Sequence, residues 1–82
     1  MKNDKEILKE INEIFKDILD IEELSLTKET EAKDIKKWDS LAHMQLVLAI
    51  SKHFSIKFTT KEIISWQNVG SIVECVKEHL SC

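Results

Sequence analysis

The sequence predicts an all-α fold, a four-helix bundle of three longer helices plus one short third helix. Three observations predict it. The 82 residues include one glycine and no proline, so little in the chain interrupts helices. Apolar residues recur at helical spacing in three stretches, near 4–19, 40–53 and 69–80. Residues suited to helix N-caps stand just before each stretch. With 43% apolar and 33% charged residues, the chain reads as one small folded domain, 1–82, rather than a disordered one.

In chain order, Asn3-Asp4-Lys5-Glu6 offers a cap with Glu three positions on, and Ile7, Leu8, Ile11, Ile14, Phe15, Ile18 and Leu19 follow at helical spacing. This is the first helix, about 4–19, and its lysines and acids form a solvated face. Periodicity then fails from Asp20 to Trp38. Because Ile21, Leu24, Leu26, Ala32 and Ile35 are dotted through that segment, we expect a long ordered loop pinned to the core, with Trp38 as an anchor. The second helix, about 40–53, carries Leu41, Met44, Leu46, Val47, Leu48, Ala49 and Ile50, an apolar band wider than one buried stripe needs. Val47, Leu48 and Ile50 are assigned to the core. Leu41 and Met44, beside Ser40, are assigned to partner docking, since methionine adapts to varied surfaces.

After Phe54, Ser55-Ile56-Lys57-Phe58 reads as an extended connector. Thr59-Thr60-Lys61-Glu62 is a capping box that opens the short third helix through Ile63 and Ile64 towards Trp66. The fourth helix, about 69–80, follows Asn68 as cap, with Val69, Ile72, Val73, Val76 and Leu80 on one face, and Ser71-x-x-Glu74 is a competing start signal.

Charge and composition exclude several functions. The net charge is −3, divided between a first half (1–39) with twelve acids and eight lysines and a second half (40–82) with three acids and four lysines. The chain has no arginine and no basic stripe, which argues against nucleic-acid binding. No apolar run approaches the ~20 residues that span a bilayer, and the N-terminal residues do not read as a signal peptide, so no membrane insertion and a cytoplasmic location are expected. Cys75 and Cys82, if both helical, would be separated by about 10 Å, too far for a disulfide, and both are expected as free thiols. Cys75 and His79 share a helix face at i, i+4, but a closed zinc site takes about four ligands and no others lie nearby in sequence, so no metal site is expected.

Ser40 stands where the polar loop meets the second helix, in Trp38-Asp39-Ser40-Leu41. A helix N-terminus has unpaired N–H groups and a partial positive charge, so it favours an anion held on the serine oxygen. The plainer reading makes Asp39 an N-cap and Ser40 a first-turn polar residue. His43, one turn on, has no orienting acid or oxyanion-hole motif nearby in sequence and is assigned to the surface. The Gly-x-Ser-x-Gly elbow of serine hydrolases is absent, which makes a hydrolase the weakest option.

Trp38-Asp39-Ser40-Leu41 with Ala42-His43-Met44-Gln45-Leu46-Val47-Leu48, then Phe54-Ser55-Ile56-Lys57-Phe58 and Asn68-Val69-Gly70-Ser71-Ile72, resembles the acyl carrier protein family and its peptidyl-carrier relatives over nearly the whole chain. The resemblance implies a carrier, not an enzyme, bearing 4′-phosphopantetheine on Ser40 within the Asp39-Ser40-Leu41 motif. It implies attachment by a phosphopantetheinyl transferase using coenzyme A and Mg²⁺, and acyl or aminoacyl thioesters presented to loading and processing enzymes. It also implies a cleft for the tethered chain, for which Phe58, Ile63 and Trp66 are the candidates. A monomer is expected. One departure stands out: from Ser40 through Lys61 there is no acidic residue, whereas the fatty-acid-synthesis branch has an acid-rich second helix. A specialised or aminoacyl pathway is therefore at least as well supported as housekeeping lipid synthesis. The rival class is an unmodified helical interaction module.

Overall fold

The computed structural model describes residues 3–80. Four helices, α1 (Asp4–Leu19), α2 (Ser40–Phe54), α3 (Thr60–Ser65) and α4 (Val69–Leu80), account for its regular structure, together with a 3-10 turn at Ala32–Asp34, and there is no strand among the described residues. α1 packs against both α2 and α4.

Local chemistry sets the helix starts. The Asn3 side chain accepts from the Glu6 N–H at 2.9 Å, and Asp39 Oδ1 accepts from the Ala42 N–H at 2.8 Å. Thr59 and Glu62 form the expected reciprocal box, with Thr59 N–H donating to Glu62 Oε1 at 2.9 Å and Glu62 N–H to Thr59 Oγ1 at 3.2 Å. Asn68 Oδ1 accepts from the Ser71 N–H at 2.9 Å, so α4 starts at Val69 and the competing signal at Ser71 loses. α1 and α2 end at residues in the left-handed region, Asp20 and Ser55.

Ile7, Ile11 and Phe15 are fully buried along one face of α1 and meet Leu46 and Ile50 of α2 and Ile72, Val73 and Val76 of α4 in a single core cluster. Cys75 is a free thiol, as expected. Cys82 lies outside the described residues.

The long segment between α1 and α2 is ordered by specific bonds. Asn12 clamps it from α1, donating to the Leu24 carbonyl at 2.9 Å and accepting from the Leu26 N–H at 2.8 Å. Leu26 and Trp38 enter the core. The start of α4 then uses its unpaired donors on the same loop: Val69 N–H donates to the Thr30 carbonyl at 2.8 Å and Gly70 N–H to the Lys28 carbonyl at 2.9 Å. A Cβ on Gly70 would lie 2.9 Å from that Lys28 oxygen, so this approach requires glycine. Asp4 adds ion pairs to Lys28 at 2.5 Å and Lys77 at 3.0 Å, joining α1, the loop and α4. The lysine contacts hold its carboxyl below the usual range, Lys28 contributing most.

One sequence-based assignment is overturned here. Leu48 is not core: it is 61% exposed, while Val47 and Ile50 are buried as expected. Leu48 follows Met44 by four residues and Leu41 by seven, which places it on their face of α2, turned away from α1.

Candidate functional site

Ser40 is the first residue of α2 and is exposed. The loop delivers it there because Trp38 is buried edge-on against Phe15, ring centroids 4.9 Å apart, which fixes the chain two residues upstream. Asp39 then caps the helix through its side chain, and its carbonyl takes the first intrahelical bond, from the His43 N–H at 2.8 Å. The Ser40 and Leu41 amides precede that first bond and belong to the unpaired set at the helix start. No acid lies within the first turn of α2 itself, and the Asp39 cap carboxylate offsets only part of the partial positive charge at the helix start.

Ser40 opens onto a groove of about 560 Å³ between α2 and α3, lined by Ala32, Trp38, Asp39, Ser40, His43, Met44, Ile63, Ile64 and Trp66. Of the three cleft candidates, Ile63 and Trp66 line it. Phe58 does not: it packs edge-on behind Trp66, centroids 5.0 Å apart, and props that ring from the far side. Leu41 is 71% and Met44 51% exposed, and Met44 and Ile64, itself 77% exposed, border the groove from either side. A second groove, lined by Glu6, Lys9, Glu10, Glu13, Ile14, Asp17 and His53, runs along the charged face of α1 and contains no serine or cysteine.

His43 departs from the surface assignment. It is half-buried, stacked on Trp38 at 6.0 Å between centroids and edge-on to Trp66 at 5.9 Å. Trp38 Nε1–H donates to its Nδ1 at 3.1 Å. Burial holds its pKa below the ordinary value of 6.5. The ring is therefore neutral at pH 7 and carries its proton on Nε2. Its indole partners lie five residues upstream and 23 downstream, outside the reach of a local reading.

The geometry accommodates a tethered anionic group. An exposed hydroxyl stands at a helix N-terminus, Asp39 spends one carboxylate oxygen on the cap, and a largely apolar groove begins at the serine.

A family model described as a phosphopantetheine attachment site matches residues 9–76. The chain is 25% identical over 76 residues to an acyl carrier protein of Coprothermobacter proteolyticus, covering 93% of each. It also superposes on the solution NMR structure of a holo acyl carrier protein from Geobacter metallireducens with a TM-score of 0.87. That pair is 37% identical over 92% of this chain and 86% of the other. The chain belongs to the acyl carrier protein family. Its prosthetic group is accordingly 4′-phosphopantetheine, held covalently.

Proposed function

We propose that Ser40 Oγ is the attachment point of the phosphopantetheine and that the protein carries acyl or aminoacyl groups between biosynthetic enzymes, catalysing no step itself. The supporting observation is the placement of Ser40: an exposed hydroxyl at the α2 N-terminus, at the mouth of the apolar groove. A phosphopantetheinyl transferase with coenzyme A and Mg²⁺ installs the arm. When bound, the group supplies a terminal thiol that holds cargo as a thioester.

The chain's own residues attach, shelter and dock. The α2 N-terminus favours the phosphodiester charge, Asp39 keeps the helix start in place, and Ile63, Trp66 and the His43 edge offer partial cover. Leu41 and Met44, joined by Leu48, form the docking face. No described helix is long and apolar enough to cross a membrane. We place the protein in the cytoplasm as a single-domain monomer. The acid-free stretch from Ser40 through Lys61 makes a specialised or aminoacyl pathway at least as well supported as housekeeping lipid synthesis, since basic docking patches would find little charge to attract them.

Intact-protein mass spectrometry after incubation with coenzyme A, Mg²⁺ and a broad-specificity transferase tests this reading. The wild type should gain the phosphopantetheine mass and Ser40→Ala should not, with unchanged helical circular dichroism. Modification of the alanine variant would move the site elsewhere. Failure of the wild type with several transferases would favour the unmodified interaction module.

A further inference from the structure

Away from Ser40, α3 and α4 bring together three side chains that the carrier role does not use. Glu62 Oε2 lies 2.8 Å from His79 Nε2 and 3.3 Å from Cys75 Sγ, and the three donor atoms all fall within 4.8 Å of one another. Cys75 and His79 come from one face of α4 at i, i+4, and Glu62 arrives from α3, 13 and 17 residues earlier. Each of the three is half-buried, so the cluster is shaped by packing yet open to solvent on one side.

We propose that Glu62, Cys75 and His79 bind one divalent cation of the zinc class, with solvent completing the coordination. The donor set decides the class. Thiolate sulfur, imidazole nitrogen and one carboxylate oxygen suit Zn²⁺, whereas Mg²⁺ and Ca²⁺ take oxygen ligands. Three protein ligands plus water are a familiar zinc shell, and the present spacings need only a small spread to admit bonds of about 2.0 to 2.3 Å.

The surroundings support the same reading. Glu62 Oε1 is fixed by the Thr59 N–H at 2.9 Å, which leaves Oε2 as the ligand atom. The His79 ring is walled by Phe58, edge-on at 5.5 Å. Trp66 Nε1–H is buried without a completed hydrogen bond and lies close enough to Cys75 to favour its thiolate. A buried N–H beside a sulfur is a suitable outer partner for a metal-bound thiolate. Without an ion, burial and then the Glu62 carboxylate push the thiol up to about 11. Binding therefore breaks the S–H bond, the sulfur keeps the electron pair for the metal, and the proton leaves to solvent.

The ion ties α3 to α4. Because α3 supplies Ile63 and Ile64 to the groove, and Trp66 touches both places, an occupied site also steadies one wall of the groove beside Ser40.

Titration of the Cys82→Ser protein with Zn²⁺ and Co²⁺ tests this, the background substitution removing the other thiol. One equivalent of Zn²⁺ should bind by native mass spectrometry and calorimetry, and Co²⁺ should give a thiolate-to-metal charge-transfer band. Adding Cys75→Ser should abolish the band. His79→Ala and Glu62→Gln should each weaken Zn²⁺ by at least about tenfold, the lower end of what losing even an indirect partner costs. Glu62→Gln keeps a capping residue, so it separates lost ligation from lost folding. Trp66→Phe should weaken binding less. No binding, a Co²⁺ complex without the thiolate band, or affinity unchanged in all three variants would overturn the proposal. None of these outcomes depends on modification of Ser40.

Discussion

α1 and α2 are near in length and differ in how they spend their apolar residues. On α1, Ile7, Ile11, Phe15 and Leu19 are buried and Leu8, Ile14 and Ile18 pack partly against the same core. On α2, Leu46, Val47, Ile50 and Phe54 do that work, while Leu41, Met44 and Leu48 stand 71%, 51% and 61% exposed on a second face. One helix is fully explained by the fold it stabilises. The other retains exposed apolar surface that begins next to Ser40 and lies outside the buried core, which is what a docking face requires.

The sharpest way to break that contrast is to truncate one side chain from each face. Phe15→Ala removes a fully buried ring that also supports Trp38, and should cost about 3–5 kcal/mol. Met44→Ala and Leu48→Ala should each change stability by no more than about 0.5 kcal/mol while slowing transferase or partner turnover. Urea denaturation alongside turnover measurements checks both halves. A loss above 2 kcal/mol at Leu48 would return it to the core.

The second test concerns the loop that delivers Ser40. Gly70→Ala improves helix propensity by up to about 1 kcal/mol, yet its Cβ would meet the Lys28 carbonyl at 2.9 Å and the Lys28 Cβ at 3.1 Å. Both are held by the bond from the Gly70 N–H, so the collision should win and the variant should lose about 1–3 kcal/mol. A stabilised Gly70→Ala protein would mean that the loop yields easily and is a weak guide for Ser40.

What was legible in the residues was local. Asn3, Asp39, Thr59 and Asn68 cap the helices they precede because a cap is made by atoms three positions apart. The heptad-like spacing in α1 and α4 sufficed to place their buried faces. What escaped depended on contacts between distant segments. The 3-10 turn at Ala32–Asp34 carries no apolar period. The burial of His43 depends on Trp66, and the removal of Phe58 from the groove depends on how α3 turns into α4. Glu62 meets Cys75 and His79 only through tertiary packing. Leu48 was misassigned because α2 is apolar on two faces, and a composition of that kind does not say which face is buried.

A smaller effect follows from His43, which sits where the two faces of α2 meet the groove. Its folded pKa is depressed by burial, so the unfolded chain takes the proton first. The groups around it are the Trp38 and Trp66 rings, with the Asp39 carboxylate in the same groove. Its contribution to stability is whole above the unfolded value near 6.5 and is lost as pH falls through the window below. Wild-type midpoints should fall from pH 7 to pH 5 by more than those of His43→Gln. Equal slopes would show that the indole contacts do not penalise the charged ring.

The last and smallest effect sharpens the contrast in charge rather than in packing. α1 and the following loop hold most of the acids, whereas α2 has none and ends in Lys52 and His53. Steering towards a basic docking patch can change association rates by orders of magnitude, and it is this steering that salt removes. Beside Ser40, α2 offers a basic patch one carboxylate, that of Asp39, held by its cap bond, and no acid further along the helix. Loading of the phosphopantetheinylated protein by a malonyl transferase of the fatty-acid pathway should therefore be slow and should change little between low and high ionic strength. An acid-rich carrier measured in parallel supplies the steep salt dependence for comparison. Fast loading that collapses with salt would show that acids of the loop, such as Asp34 and Glu31, act in place of those missing from α2. It would also return the protein to housekeeping fatty-acid synthesis.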